Sequence, residues 1–491
     1  MTDGYTYILF LFLHILFILL LGYYVKSAMQ WYSYKIERVI FHYNKPIWHL
    51  FYFVLPVGLY YIFCFFGLYI LSALLVPIYL AMLYLWQKKL DKPLRFTGRV
   101  KRFFIFLLLG AIFEDMLYLV FYAKVGGYFF GVLMPLALAL ILSGIYEKIL
   151  FSGFKKDAVR KLGNMHDLQI IAITASYGKT SIKNFLYHIL SFKFDCYKTP
   201  RSVNTLAGIV LDVNTSLPKK TKIYIAEAGA RQKGDIKEIA EFLNPDIVIV
   251  GQIGAQHIEY FKTLENIRDT KMEISSSKKL KKAFVHTSAN ANAGDDKRVK
   301  IWGEEITFIK ASLDGVKFGM KMGEDEVVFE SRLLGDFNAI NLAACVHIGL
   351  YLGLDIKTVQ EAMLSIPSVE HRLQRMDVGG KIILDDSFNG NFEGMKSSYE
   401  LVKAHEGRKV LITPGIVEST KEENEKLAKI MDEIFDLVIV TGSINAQTLN
   451  AFIKRADKII LKDKTQLTQI LAENTFAGDL LLFSNDAPTY M

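Results

Sequence analysis

Long apolar runs fill the first 150 residues, and they limit what the chain can fold into more than any other feature. Residues 5–25 contain no Asp, Glu, Lys or Arg, and the run from Ile47 to Trp86 contains none either. A helix crosses a bilayer with about 20 apolar residues, so these runs predict one span and then two. The bend between the second and third spans has three residues that favour it: Pro56, Gly58 and Gly67.

Two further runs, 103–122 and 128–146, predict a fourth and a fifth span joined by residues 123–127. A cleaved signal peptide is the alternative for the first run. Asp3 and the absence of Lys or Arg before Lys26 count against it, as does the length of the run. We therefore expect a membrane region over residues 1–150 with about five helices.

Basic residues predict the orientation of these spans, because short cytoplasmic loops retain Lys and Arg. With five spans the N-terminus lies outside, and everything after Glu147 lies on the cytoplasmic side of the inner membrane. Trp31, Trp48 and Trp86 are typical of interfacial anchors. The residues that set the orientation are Lys26, Lys35, Arg38 and Lys45 after the first span, and Lys88, Lys89, Lys92, Arg95, Arg99, Lys101 and Arg102 against Asp91 after the third.

The acids in the fourth span, the net charge and the cysteines give further information about the class of protein. Glu114 and Asp115 lie inside the fourth span, where acids are costly and usually functional; the alternative is that they pack against another span or lie near an interface. The net charge of +8 sits largely beside the apolar runs, so it does not indicate nucleic-acid binding. The three cysteines are far apart, which predicts neither a metal cluster nor disulfides and favours a reducing compartment.

From Leu168 onward, short apolar runs alternate with amphipathic stretches, the pattern of a parallel α/β sheet. "LQIIAIT", "KIYIAEA", "DIVIVGQI" and "KAFVHT" predict strands of a central domain over 160–370. "KIILDDS", "RKVLITPG", "DLVIVTG", "KIILK" and "DLLLFS" predict strands of a smaller Rossmann-like domain over 371–491. Helices are expected at "TSIKNFLYHILS", "GDIKEIAEFL" and "ENIRDTKMEISSSKKL".

The segment "ITASYGKTSIKNF" follows the first of these strands and is typical of a phosphate-binding loop. Backbone amides at the start of a helix face the phosphates, Lys179 adds positive charge, and Thr180 offers a hydroxyl to Mg²⁺. A complete Walker pattern has a glycine five residues before Gly178, where this chain has Ile173. A chance Gly-Lys-Thr in a solvated turn is the alternative.

Three later residues fit a magnesium site beside that loop. Glu227 ends a strand, His257 follows the next strand, and Lys271 lies on the following helix. The carboxyl ends of parallel strands share one edge of the sheet, where ligands bind. Taken singly, the three could be a capping acid, a loop histidine and a solvated charge; together and in this order they favour function.

That order of motifs resembles the Mur ligase family, the ATP-dependent amide ligases that build the peptidoglycan stem peptide. "TASYGKT" is similar to T-G-T-x-G-K-T, "GAQHIEYF" to G-x-x-H-x-E-x-F, and "TKMEI" to AKxEI, whose lysine is carbamylated in the family. "LLGDFNAINLAAC" resembles the adenine segment G-x-H-N-x-x-N with Phe337 at the histidine, and "VEHRLQRM" resembles the x-G-R-L domain junction. "ILDDSFNGNFEGM" is similar to the DDSYNANPxSM of members that add D-alanyl-D-alanine.

The resemblance implies roles for the matching residues. Gly178, Lys179 and Thr180 would hold the ATP phosphates and one Mg²⁺, Glu227 and His257 would ligate magnesium, and carbamylated Lys271 would position a second Mg²⁺. ATP would phosphorylate a substrate carboxylate to an acyl phosphate, and the amine of a second substrate would then attack it. The positive charges of the lysines and metal ions would neutralise the anions during both steps. The nucleotide would be contacted across the domain cleft by Asn338, Asn341, Arg372, Asp386 and Asn389.

Departures from the family fall on substrate recognition. Five predicted spans take the place of the uridine-binding domain, "TPGIVES" replaces GDMxELG, and the KGS signature is absent from "LLLFSNDAPTYM". The leading hypothesis is a membrane-anchored ligase that joins D-alanyl-D-alanine to UDP-N-acetylmuramoyl-tripeptide, close to membrane enzymes of cell-wall synthesis and in contact with lipid. A lipid-linked or polymeric envelope carboxylate is the alternative acceptor. An ATP-driven transporter or sensor is the third hypothesis, and the few polar residues in the spans count against it.

Overall fold

The computed structural model describes residues 4–32, 34, 36–41, 46–88, 90, 93–117, 120, 131–255, 258–292, 296–388, 390–417, 419–442, 444–461 and 463–485. The chain divides into two compact units, Met1–Gly153 and Phe154–Met491. The first unit is helical where it is described, and the second contains the parallel sheets that the strand and helix pattern predicts.

Helices account for nearly all of the described part of the first unit. A π-helical turn, Leu50–Val54, joins the third and fourth of them. Between the fourth and fifth, Gly67 has φ +70°, a left-handed conformation that glycine adopts without strain. The predicted bend therefore falls at Gly67, while Pro56 lies in the first turn of the fourth helix, before the bend. The helices are α1 (Gly4–Trp31), α2 (Ile36–Phe41), α3 (Pro46–His49), α4 (Leu55–Phe65), α5 (Tyr69–Lys88), α6 (Gly98–Leu117) and α7 (Leu133–Gly163).

Four segments of the described residues are long and apolar enough to cross a membrane: Leu9–Trp31, Ile47–Phe65, Tyr69–Lys88 and Leu133–Gly163. They correspond to the first, second, third and fifth predicted spans. The fourth predicted span, 103–122, differs, because its described part is α6, which carries charged residues near both ends. The connection predicted over 123–127 lies outside the described residues.

Aromatic contacts show how these helices run past one another. Phe17 of α1 stacks on Tyr60 of α4 with ring centroids 4.7 Å apart, and Tyr24 lies 5.9 Å from Tyr52, so α1 and α4 are antiparallel. On α5, Tyr69 lies 5.9 Å from Phe10 and Trp86 lies 5.2 Å from Tyr24, so α1 and α5 are parallel.

Charged side chains join α6 to α1 at both ends. The Lys26 ammonium lies 4.2 Å from the centre of the Phe103 ring, and the His14 Nε2 lies 3.5 Å from Asp115 Oδ1 and 3.9 Å from Glu114 Oε2. His14 also forms a 2.6 Å hydrogen bond through Nδ1 to the Tyr60 hydroxyl. Both acids are buried. Glu114 and Asp115 therefore pack against another helix of the same unit, one of the two alternatives for acids in a span.

The second unit is built on a six-stranded parallel sheet in the order β2-β3-β1-β4-β5-β6. The predicted runs form β1, β3, β4 and β5, whereas β2 and β6 were not predicted. Continuous burial of β1, β3 and β4 is typical of parallel strands covered on both faces. The strands are β1 (Gln169–Thr174), β2 (Cys196–Lys198), β3 (Ile223–Glu227), β4 (Ile247–Val250), β5 (Lys282–His286) and β6 (Val299–Trp302).

Helices and a small antiparallel sheet complete this part of the chain. The three-stranded sheet β7 (Ile306–Ser312), β8 (Gly315–Met322) and β9 (Asp325–Ser331) was also not predicted; in β8 the exposed Lys317 and Lys321 interrupt the buried residues. The predicted helices form α8, α10 and α12, and α12 ends earlier than expected, at Met272 before a 3₁₀ turn. The helices are α8 (Lys179–Leu190), α9 (Leu206–Thr215), α10 (Asp235–Leu243), α11 (Ile258–Phe261), α12 (Leu264–Met272), α13 (Asp336–Tyr351) and α14 (Ile356–Leu364).

A second six-stranded sheet follows in the order β10-β11-β15-β12-β13-β14, parallel except for β10. All five strands predicted for this region are present, and β10 was not predicted. The strands are β10 (Gln374–Val378), β11 (Lys381–Asp386), β12 (Lys409–Thr413), β13 (Leu437–Thr441), β14 (Asp457–Leu461) and β15 (Leu480–Ser484). The helices are α15 (Phe392–Val402), α16 (Lys421–Ile434), α17 (Ala446–Phe452) and α18 (Leu467–Asn474).

The segment that joins the two sheets is held in a strained conformation. His371 has φ +62° and Leu373 has φ +53°, both in the left-handed region that non-glycine residues avoid. The His371 Nδ1 lies 2.7 Å from Oδ2 of Asp385, which is fully buried, and 3.2 Å from the Ser387 hydroxyl. In the x-G-R-L segment that this junction resembles, His371 stands at the glycine.

We expect His371→Ala to lower the free energy of unfolding of the second unit by about 1–3 kcal/mol, because it leaves the buried Asp385 carboxylate without this partner and keeps the backbone strain. His371→Gly loses the same hydrogen bond but removes the strain, so it should be about 1 kcal/mol more stable than the alanine variant. Urea unfolding of the detergent-solubilised chain should give the highest free energy of unfolding for the wild type, a lower one for the glycine variant and the lowest for the alanine variant. An alanine variant at least as stable as the glycine variant would contradict this.

Candidate active site

The loop between β1 and α8 lies at the carboxyl edge of the central sheet. Gly178 has φ +79° and caps the helix, so the chain turns sharply into α8 at Lys179. A side chain at Gly178 would collide with the amide of Asn341, which is buried on α13. Both the backbone angle and the close approach of Asn341 require glycine here.

The same loop is fastened to the loop that follows β4. The Ser176 backbone N–H donates to the Gln252 carbonyl over 2.8 Å, and the Ser176 hydroxyl donates to the Gly254 carbonyl over 3.0 Å. The Tyr177 ring packs directly on Gly254, where a side chain would collide with it. Burial, and secondly the negative charge of Glu423 and Glu393, raises the pKa of Tyr177.

Lys179 folds back over its own loop. Its ammonium donates to the Ala175 carbonyl over 2.7 Å and to the Ser176 carbonyl over 3.0 Å. Burial lowers the pKa of Lys179 to about 8, Glu227 opposes this shift, and the positive charge of Arg372 adds to it. An anion bound beside this loop would favour the protonated ammonium and raise its pKa.

Glu227, at the end of β3, is the most heavily bonded acid of the site. It is 1% exposed, and its Oε2 accepts hydrogen bonds from the Thr180 hydroxyl over 3.0 Å and the Lys183 ammonium over 3.2 Å. Its Oε1 accepts a hydrogen bond from the Asn204 amide over 3.1 Å. A buried carboxylate is costly unless it is paired and hydrogen-bonded, and these contacts supply both.

The spacing of Thr180 and Glu227 fits a magnesium ion. Mg²⁺ binds oxygen at about 2.1 Å in octahedral geometry, which places adjacent ligand oxygens about 3 Å apart. The Thr180 Oγ1 and Glu227 Oε2 atoms are 3.0 Å apart. A hydroxyl and a carboxylate are also the hard oxygen donors that Mg²⁺ prefers.

Lys271 lies on α12 and is 3% exposed. Burial, and secondly the positive charge of Lys179, lowers its pKa well below the usual value, while Asp235 and Glu227 act in the opposite direction. This shift favours the neutral amine, which is the form of lysine that acts as a nucleophile. Glu273 holds this helix in place by accepting hydrogen bonds from the Gly234 backbone N–H at 2.9 and 3.0 Å.

The two asparagines of α13 that are predicted to contact the nucleotide form hydrogen bonds within the protein. Asn338 donates through Nδ2 to the Leu334 carbonyl over 2.7 Å, and Asn341 donates to Asn338 Oδ1 over 3.4 Å. Both are buried. Phe337, which replaces the family histidine, packs against the hydrophobic core that contains Leu384 and Leu411 of the second sheet.

Arg372 and Asp386 lie where the second sheet begins. The Arg372 guanidinium donates to the Phe388 carbonyl over 2.7 Å. Burial lowers its pKa, and Asp386 and Glu227 oppose that shift, so the arginine interacts with acids from both sheets. Asp386 is 1% exposed at the end of β11.

The structure thus brings together Gly178, Lys179, Thr180, Glu227, Lys271, Asn341 and Arg372. Two predicted site residues, His257 and Asn389, lie outside the described residues. Among the residues that the structure describes, no group of three or more His, Cys, Asp or Glu side chains has the arrangement of a metal site. The oxygen atoms whose spacing fits magnesium here are those of a threonine hydroxyl and one carboxylate.

Two residues of the site were not predicted. Asn204 lies in the loop before α9, after the three-residue strand β2, which is too short to give a pattern. Lys183 is one turn beyond Lys179 on α8, and that spacing was the available signal, because residues four apart share a helix face.

Comparison with known proteins identifies a matching domain and similar relatives. Residues 173–349 match the Mur ligase middle domain. The chain is 25% identical over 339 residues to the UDP-N-acetylmuramoyl-tripeptide–D-alanyl-D-alanine ligase of Bacillus subtilis, covering 64% of this chain and 72% of that protein. It is 29% identical over 232 residues to the ligase of the same name from Borreliella burgdorferi, covering 45% of this chain and 49% of that protein.

Solved structures share the fold of the second unit. The MurF ligase of Thermotoga maritima in complex with ADP is similar with a TM-score of 0.60 and 24% identity, over 68% of this chain and 80% of that one. MurF from Acinetobacter baumannii is similar with a TM-score of 0.62 and 20% identity, over 68% of this chain and 78% of that one. The chain thus contains a segment, residues 173–349, that matches the Mur ligase middle domain, and it is similar to MurF-type members of that family.

Proposed function

We propose that the chain is an ATP-dependent peptide ligase that adds D-alanyl-D-alanine to UDP-N-acetylmuramoyl-tripeptide. The names of its Bacillus and Borreliella relatives support this activity. The observation that carries the proposal is the magnesium-compatible Thr180–Glu227 pair beside the glycine-capped turn into α8. The ADP complex of the Thermotoga relative supports the use of ATP.

The site's residues would act on the phosphates and on the reacting carboxylate. The amides at the start of α8 and the Lys179 ammonium would bind the triphosphate, with Lys179 leaving its loop carbonyls. An oxygen of the tripeptide carboxylate attacks the γ-phosphorus, and the bond to ADP breaks. The D-alanyl-D-alanine amine then attacks the acyl carbon, loses a proton, and phosphate leaves. Water must be excluded, or the acyl phosphate would hydrolyse.

Two magnesium ions would supply charge neutralisation during both steps. Thr180, Glu227 and His257 would ligate magnesium, and a carbamylated Lys271 would position the second ion. The neutral Lys271 amine would attack CO₂ and lose a proton, which gives an anionic carbamate. The nucleotide would be contacted by Asn338, Asn341, Arg372, Asp386 and Asn389.

We propose that the first unit lies in the cytoplasmic membrane with the second unit on the cytoplasmic side. Besides the four apolar segments, α6 would cross as well, since it runs antiparallel beside α1 from Phe103 to Asp115 and its acids face His14. Acids that face the interior of a bundle are tolerated in a membrane. The alternation of α1, α4, α5 and α6 fits consecutive crossings. Lipid and membrane enzymes of cell-wall synthesis would then be neighbours.

Phosphate release by the full-length protein should require ATP, Mg²⁺, the tripeptide nucleotide and D-alanyl-D-alanine together. Lys179→Ala should lower kcat by at least about 100-fold, because a charge on the transferred phosphate is lost. Lys198→Ala, on the edge strand β2, is the matched control and should retain activity. Turnover only with a lipid-linked acceptor would favour that alternative, and ATP hydrolysis that needs no amine would favour a transporter or sensor.

Lys271→Ala should lose at least about 100-fold in kcat, because the carbamate and its metal are lost. Added formate or acetate should restore part of the activity by placing a carboxylate in the space that the side chain leaves. The measurement is phosphate release against carboxylate concentration, with Lys179→Ala as the variant that carboxylates should not rescue. If Lys271→Ala showed no rescue, the carbamate would be contradicted.

Orientation can be tested by cysteine labelling in a background without Cys64, Cys196 and Cys345. A membrane-impermeant maleimide applied to intact spheroplasts should label Phe66→Cys, between α4 and α5, and should reach Lys219→Cys only after permeabilisation. Both positions are exposed within their own units. The reverse pattern would overturn the proposed orientation.

A further inference from the structure

Lys183 is a fully buried lysine to which the family resemblance assigns no role. It is 0% exposed on α8, its Nζ lies 3.2 Å from Glu227 Oε2, and it donates to the Arg201 carbonyl. Burying an ammonium is costly unless an opposite charge compensates for it. Glu227 supplies that charge, so the two form a buried ion pair.

Lys183 binds the same oxygen of Glu227, Oε2, that is predicted to bind magnesium. Glu227 Oε2 accepts from both Thr180 and Lys183, while Oε1 accepts from Asn204. Both oxygens of the carboxylate are therefore satisfied by the protein itself. Arg201 has φ +46°, which indicates that the loop carrying the carbonyl bound by Lys183 is tightly constrained.

A divalent cation bound to Oε2 would lie within roughly 5 Å of the Lys183 ammonium, given a metal–oxygen distance of about 2.1 Å. In a buried site, like charges at this separation repel strongly. A metal ion without nucleotide would have to displace the Lys183 ammonium or bind against its repulsion. Metal that arrives with a triphosphate brings additional negative oxygens, which offset the repulsion.

We propose that Lys183 is a positioning residue that acts as the built-in counter-charge of Glu227 and competes with the divalent cation. The metal then enters the site together with the nucleotide rather than before it. This inference depends on the proposed function for the identity of the nucleotide. The competition itself concerns Lys183, Glu227 and the metal.

The test measures Mn²⁺ binding to the full-length protein in detergent without nucleotide. The electron paramagnetic resonance signal of free Mn²⁺ reports how much of the metal is bound. Lys183→Met should bind Mn²⁺ about tenfold more tightly than wild type, because the competing charge is gone. Lys183→Arg keeps the charge and should bind as weakly as wild type. Glu227→Gln should lose the binding, which identifies the site. Lys198→Met, whose ammonium contacts Asn184 and the Tyr187 ring, is the matched control and should be unchanged.

Tightening of threefold or more in Lys183→Met, with no tightening in Lys183→Arg, supports the competition. Less than threefold tightening, or weaker binding, overturns it, since a lysine that only held the Arg201 loop would not compete with metal. Should the methionine variant fail to fold, Lys183→Gln decides by the same criterion. No acceptor or amine is present in this titration, so a failure of ligase turnover would leave its result unaffected.

Discussion

The carboxylate of Glu227 is the interaction on which the arrangement of the site depends. It is buried at the end of β3, and groups from two segments bind it: Thr180 and Lys183 from α8, and Asn204 from the loop before α9. In the same loop, the Thr199 hydroxyl accepts a hydrogen bond from the Glu227 backbone N–H. The parallel pairing of β1 with β3 sets Glu227 beside Ile173. A one-residue shift in this register would turn the carboxylate to the other face of the sheet.

Three lysines near this carboxylate are buried or half-buried, and each is treated differently. Lys183 is paired with Glu227, and Lys179 is bound by the carbonyls of its own loop. Lys271 has the charge of Lys179 acting against its protonation, and its pKa falls well below the usual value. Lys183 is thus a partner of Glu227, Lys179 lies in the loop where an anion would bind, and the surroundings of Lys271 favour its neutral amine. Environment, rather than residue type, separates the three roles.

The sequence predicted the strands that are continuously apolar, because burial on both faces leaves a run that can be recognised without knowing the fold. It did not predict β2, which has three residues, or β7 to β9, where charged residues such as Lys317 and Glu330 alternate with the apolar ones. The convergence of Thr180, Glu227 and Lys271 followed from the rule that parallel strands end at one edge. The contacts of Lys183 and Asn204 did not, because they depend on side-chain directions and on a loop that no periodicity describes.

Hydropathy does not identify α6 as a candidate membrane span, whereas its packing contacts place it beside α1. Its charged residues place it outside the apolar segments, yet those charges are the groups that fix it to its neighbours: Arg102 donates to Glu147 of α7 over 2.7 Å, and the acids at the other end face His14. A hydropathy average treats every charge as a cost, whereas a charge paired inside a bundle adds a specific contact. The contacts of α6 therefore show that it packs as one of the helices of this unit, which is the observation on which the proposal of a fifth crossing depends.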